Sequence, residues 1–214
     1  MKTFKNRDID QLDYLYRINL INSCSGYKSA NLIGTKSKEG ITNAAVFSSI
    51  IHLGSNPALL GFILRPTTVP RNTYKNIKST GIYTINPIAE AFLEDAHHTS
   101  AKYNDQLSEF DFTELTESYK VGFDAPVILQ SPIHICMHFV EEIPIKRNGT
   151  ILMVGEIETL YVREELLDED GFINLNKGKI ATINGLDGYS IPKQVQRFGY
   201  QRPKIATSSC RTNT

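Results

Sequence analysis

The chain has 214 residues, 41% of them hydrophobic and 21% charged, with 23 basic residues balanced by 23 acidic ones. That length suits one domain that buries roughly 70% of its unfolded surface, and a net charge of zero offers no general attraction to nucleic acid or an acidic membrane. No run approaches the roughly eighteen apolar residues of a spanning helix, and the opening MKTFKNRDID lacks the apolar stretch of a signal peptide. The expectation is a cytoplasmic protein with neither nucleic acid nor membrane as partner.

In chain order, residues 14–37 (YLYRINLINSCSGYKSANLIGTKS) contain two short apolar runs separated by Ser, Gly and Lys, which predicts two strands joined by a turn. Phe47–Leu53 and Leu59–Leu64 are further predicted strands, divided by the turn formers Gly54, Asn56 and Pro57. Thr73–Ser79 reads as a short helix entered through Arg71 and Asn72 and stopped by Gly81, with a strand at Ile82–Ile85. Asn86-Pro87 opens a turn, and Ala89–His98 carries a weak helical pattern whose continuation toward Leu107 is left open.

From Pro126 onward the texture is β. Ile133, Ile135, Met137 and Phe139 alternate with smaller or polar residues, the period of a strand with one buried face. Arg147-Asn148-Gly149 predicts a tight hairpin turn into a long strand at Thr150–Val162, with Gly155 placed for a bulge or close backbone contact. Leu166–Lys179 is polar and turn-rich. Few helices and unevenly spaced strands argue against a βαβ series and for a closed or partly open antiparallel barrel.

The chemistry-bearing candidates are sparse. Cys24, Cys136 and Cys210 form no CxxC pair. His134, Cys136 and His138 lie on one strand face, the outer two about 13 Å apart, too far for one ion on an unbent strand. No G-x-S-x-G elbow, G-x-G-x-x-G or Walker-type loop occurs. The glutamates at 141, 142, 156 and 158 read as a solvated strand face. Such poverty in acid–base groups fits a bound redox cofactor that carries the chemistry. Residues 33–65 stand out: small hydroxyl and amide side chains at Thr42, Asn43, Ser48 and Ser49 precede a strand closed by Arg65, a residue type that pairs with phosphate.

Six segments in fixed order carry a resemblance: GITNAAVFSS (40–49), NPALLGFILRP (56–66), RNTYKNIKSTGIYTIN (71–86), HHTSAKYNDQLSEFDFTEL (97–115), GTILMVGEIETL (149–160) and GLDGYSIPKQVQRFGYQRP (185–203). Together they resemble the flavin reductase-like family of FMN-binding split-barrel proteins, which includes flavoredoxins and NAD(P)H:flavin oxidoreductases. The resemblance spans residues 1–203 as one FMN-binding domain and leaves 204–214 as an expected flexible tail. It implies a mainly β, Greek-key split barrel with short helical elaborations, a homodimer, and non-covalent FMN near the subunit interface.

Carried onto this chain, the resemblance puts Asn43, Ala45, Phe47, Ser48 and Ser49 along the flavin, and Arg65, Arg71, Asn72 and Thr73 on its phosphate side. Thr99, Ser100, Ala101 and Tyr189 complete the set. Other uses stay open: Asn43 as a cap, Ser48 and Ser49 as partners of local backbone groups, Phe47 as core, Arg65 and Arg71 in surface ion pairs. No metal ligand and no catalytic acid or base is assigned. The function implied is FMN-dependent NAD(P)H:flavin reduction, with NADH or NADPH as donor and free flavin or an electron-transfer protein as acceptor. A flavoredoxin-like carrier and a non-catalytic FMN-binding storage or sensing protein are the alternatives.

Overall fold

The chain opens with helix where strands were predicted. In the computed structural model, which describes residues 1–193 and 195–203, α1 spans Asn6–Asp10 and α2 spans Tyr14–Ser23. Asp13 caps α2, its Oδ1 accepting from the N–H groups of Leu15 (3.0 Å) and Tyr16 (3.2 Å). The β-branched and aromatic residues that imitated a strand sit on a helix without a single buried residue. Strand begins only at β1 (Lys28–Ser29) and β2 (Asn31–Lys36), so the second half of that segment meets the expectation.

The main sheet adds β3 (Thr42–Phe47), β4 (Ile51–Ser55), β5 (Ala58–Leu64), β6 (Ile82–Pro87), β9 (Ile133–Ile145) and β10 (Thr150–Val162). Its order is β3-β2-β6-β9-β10-β5-β4, antiparallel throughout. The two edge strands, β3 and β4, follow each other in sequence through Ser48–Ile50 alone. Four peptide steps reach at most about 14 Å, so the sheet must roll until its edges nearly meet: a barrel split between β3 and β4.

The single strand predicted at Phe47–Leu53 is therefore corrected to two strand ends with a crossing between them. Ser49 holds the crossing, its hydroxyl accepting from Ile63 N–H (3.0 Å) and donating to Ile63 C=O (3.2 Å).

In the hairpin of β9 and β10, β10 has the predicted limits, and β9 runs on from the predicted alternation at Ile133–Phe139 to Ile145. The hairpin loop is one residue longer than the tight turn predicted at Arg147-Asn148-Gly149. Lys146–Gly149 separates the strands, the N–H groups of Asn148 and Gly149 both donate to Ile145 C=O, and only Gly149 is left-handed (φ 74°). Register shifts at Gly155, where the bulge was expected.

Two cores result. Ile33, Phe62, Tyr83, Met137 and Met153 fill the barrel under Ile77 of α3 (Asn72–Thr80), a helix stopped by left-handed Gly81 (φ 76°) as predicted. Leu32, Ala44, Ile88, Phe92, Ile128 and Ile183 form a second core outside β2 and β3. β2 is buried on both faces, so residues 31–35 are buried without a break.

Over the second core lie α4 (Leu93–His98) and a small sheet of β1, β11 (Thr182–Asn184) and β12 (Gly188–Ser190), with a separate hairpin of β7 (Glu117–Lys120) and β8 (Phe123–Ile128). α4 stops at His98 instead of continuing toward Leu107, because the Thr99 hydroxyl turns back onto Ala96 C=O (2.8 Å).

The H-x-C-x-H residues part company. His134 is buried with Nε2 2.9 Å from Ile128 C=O, Cys136 packs with Phe123 and Ala125, and His138 pairs with Glu158 on the surface. Among the described residues no group of three or more His, Cys, Asp or Glu is placed to hold a metal ion. The tail at 204–214, with Cys210, lies outside the described residues.

Candidate functional site

β3 is an edge strand, and its alternation sends residues to two different environments. Asn43, Ala45 and Phe47 pair with Thr35, Ile33 and Asn31 of β2 and share one face. Asn43 is buried, and its Nδ2 donates to Thr73 Oγ1 (3.2 Å) in the first turn of α3, tying the strand to the helix N-terminus. Phe47 meets Phe62 edge-on at 5.1 Å, so its ring is a core element. Ser48 and Ser49 follow in the crossing, with the Ser49 hydroxyl held by the Ile63 backbone.

The N-terminus of α3 is open. Its cap residue, Arg71, has an extended backbone (φ −132°, ψ 102°), and no side chain caps the first turn among the described residues. Arg71 Nε is buried and, among the described residues, without a hydrogen-bond partner. A buried guanidinium N–H left unpaired beside free helix N–H groups is a receptor for an anion. Asn72 and Thr73 occupy the same turn, while Arg65, just past the end of β5, is exposed.

Of the remaining candidates, Tyr189 packs on the other face of β3, and Thr99, Ser100 and Ala101 follow the end of α4. Thr99 is buried, and its hydroxyl serves the helix end. Ser100 and Ala101 are exposed, with N–H groups donating to His97 C=O (3.0 Å) and His98 C=O (2.9 Å). Tyr189 on β12 packs into the core that contains Ala44 and Val46, and its hydroxyl lies 3.1 Å from His97 Nδ1. Burial pushes the Tyr189 phenol pKa up, and Asp187 adds to the effect. The two groups of candidates thus flank one strand edge.

Sequence reading passed over a carboxyl group at that edge. The Ala44 N–H donates to Glu109 Oε2 (3.0 Å), which shows that this N–H points away from β2, and alternation points Val46 N–H the same way. Glu109 is buried, and loss of water pushes its pKa up. The Ser108…Asp111 capping box marks a turn there in sequence. Its docking onto a strand 65 residues away leaves no local mark.

A family model described as a flavin reductase like domain matches residues 26–182. A candidate flavin reductase with a split barrel domain from Shewanella frigidimarina is 42% identical, with a TM-score of 0.90 over 94% of this chain and 100% of that one. Nitrilotriacetate monooxygenase component B from Bacillus cereus is 18% identical, with a TM-score of 0.80 over 94% of this chain and 98% of its own. Flavoredoxin of Desulfovibrio vulgaris (Miyazaki F) is 21% identical, with a TM-score of 0.70 over 98% and 99% respectively.

Proposed function

Because the chain belongs to the flavin reductase-like family, we propose that it is an FMN-dependent oxidoreductase that takes electrons from NADH or NADPH and passes them to free flavin. One observation carries the reading: the unpartnered, buried Nε of Arg71 at the uncapped N-terminus of α3. A phosphate monoester supplies the acceptor oxygens that this group lacks.

In this reading Arg71, Asn72 and Thr73 hold the phosphate, and exposed Arg65 adds positive charge at the approach. Asn43, Ala45, Ser48 and Ser49 flank the chain and ring of the flavin, with Phe47 as the packed floor beneath them. The free edge at Val46 offers main-chain groups to the polar edge of the ring, which Thr99, Ser100, Ala101 and Tyr189 border from the other face. FMN held there would supply the redox chemistry, a two-electron exchange between nicotinamide and acceptor. The chain's own work is to fix the ring's position and keep water from one side of it.

The homodimer belongs to the same proposal. Leu53 and Leu152 both crowd the outer side of Gly61, each 3.0 Å from the place of a Cβ there. Leu152 pairs with Ile143 on β9, which extends this apolar face across β4, β5, β10 and β9. Ile51, Leu53, Ile143 and Ile145 remain exposed on that face, a surface for a second subunit.

The test is to titrate the apo-protein with FMN, then mix the complex with NADH or NADPH without oxygen and follow bleaching of the flavin band. Stoichiometric binding, bleaching and repeated turnover on added flavin are expected. A folded protein that binds no FMN would defeat the proposal. Bleaching without turnover would replace the reductase with an electron carrier, and binding without bleaching would leave a storage or sensing protein.

A further inference from the structure

A cavity of about 190 Å3 lies beside the first turns of α3. It is walled by Glu39 on the β2–β3 turn, Thr42 and Asn43 of β3, Lys75 and Asn76 of α3, and Asp105 on the segment after α4. Pockets for whole drug-sized ligands begin near ~300 Å3, so this space suits one sugar ring of a larger molecule. It adjoins the proposed phosphate seat through Asn72.

Its polar groups are mostly acceptors. Asn43 and Asn76 are 5% and 4% exposed. Each directs its amide N–H to a threonine hydroxyl, Asn43 to Thr73 (3.2 Å) and Asn76 to Thr35 (3.1 Å). Among the described residues neither Oδ1 receives a hydrogen bond, and both side chains line the cavity. At the rim stand two carboxylates, Glu39 and Asp105, and one ammonium, Lys75, which already faces Asp105 at 3.9 Å. Backbone and Ser37 hydrogen bonds lower the Glu39 pKa and keep it ionised.

We infer that this cavity seats the unphosphorylated ribose of the electron-donating dinucleotide, so that the protein selects NADH over NADPH. The inference rests on the oxidoreductase reading above. A vicinal diol brings two hydroxyl donors to a site whose cavity-lining amide oxygens and rim carboxylates can accept them, as acidic side chains do toward the ribose 2′-hydroxyl in dinucleotide sites. A 2′-phosphate instead brings negative charge to a rim whose two carboxylates already share Lys75 and, beside Glu39, Lys38, so that among the described residues no ammonium of this rim is left over to pair with it. The adenosine of FAD carries the same diol, and the experiment separates the two sources.

FMN-loaded protein is titrated calorimetrically with NAD+ and with NADP+, as wild type, Glu39→Gln, Asp105→Asn and the double variant. Both side chains are exposed, so the variants fold. NAD+ is expected to bind at least tenfold more tightly than NADP+, and the double variant to narrow that ratio at least fivefold. Equal affinities, a ratio unmoved by the variants, or binding of neither nucleotide would overturn the inference. A parallel titration of apo-protein with FMN and FAD assigns the seat to flavin adenosine, against the inference, if FAD gains more than tenfold over FMN and the variants remove the gain. Selective NAD+ binding without bleaching of the flavin by NADH would keep the ribose seat and overturn the oxidoreductase reading. Equal bleaching by both nucleotides, unchanged in the variants, would do the reverse.

Discussion

The Tyr83 hydroxyl lies where a side chain at position 155 would begin: a Cβ on Gly155 stands 2.2 Å from Tyr83 Oη and 2.9 Å from His138 C=O. The glycine lets β10 bulge over the tyrosine at the point where its register with β9 shifts. Tyr83 Oη is buried without a partner among the described residues, and burial pushes its pKa far up. Gly155→Ala should cost about 1–3 kcal/mol through overpacking. Tyr83→Phe should leave stability unchanged or raise it, since it removes an unsatisfied group. In the double variant part of the alanine cost should return, because only the His138 carbonyl and the ring remain in the way. Urea denaturation of the four proteins checks the cycle, and strictly additive effects would refute the contact.

Arg71→Ala should weaken FMN binding by about 1.5–3 kcal/mol, a factor of roughly 10–150. Riboflavin, which lacks the phosphate, should bind wild type and variant alike. Fluorescence titration with both ligands decides it. Equal losses for both would mean that Arg71 supports the fold or the ring and not the phosphate.

Glu109→Gln should change how stability depends on pH. Burial raises the carboxyl pKa in the folded chain, so folding favours the protonated form. The resulting stabilisation is complete below the ordinary carboxylate pKa, about 4.3, and is lost as pH rises through the raised value. The amide does not titrate there, and its oxygen still accepts the Ala44 N–H. The variant should therefore gain on the wild type as pH climbs from about 4 toward 8. A difference that stays flat across that range, measured by chemical denaturation, would contradict the burial of Glu109 against β3.

Sedimentation should find a dimer with or without reductant, as Cys24 and Cys136 are free. A specific interface needs at least about 1,000 Å2 in total. Charges placed on the outer apolar face by Leu53→Glu with Ile143→Glu should yield folded monomer with weakened FMN binding. A wild-type monomer that holds FMN fully would reject the dimer as a condition for binding.

Much of the barrel was legible where a signal acts within a few residues. The alternation from Ile133 to Phe139 and the turn ending at Gly149 gave the long hairpin, and Gly81 marked the end of α3 because a left-handed cap favours glycine. The same local logic misled at Tyr14–Ser23. Its Tyr, Leu and Ile content imitates a strand, while the deciding group is Asp13 on two N–H donors. It misled again at Phe47–Leu53, where apolar residues run through a crossing between opposite sheet edges.

The sequence by itself determined which segments become the hairpin and α3, and which residue types along them could pair with a phosphate. The tertiary structure alone decided that β3 is an edge, that Ser49 fastens to Ile63, that Glu109 closes on Ala44, and that Arg71 Nε is left unpaired. Strand period, turn glycines and caps are set by neighbouring residues. A hydrogen bond between positions 14 or 65 residues apart depends on how the whole sheet rolls, and no short window of sequence contains that.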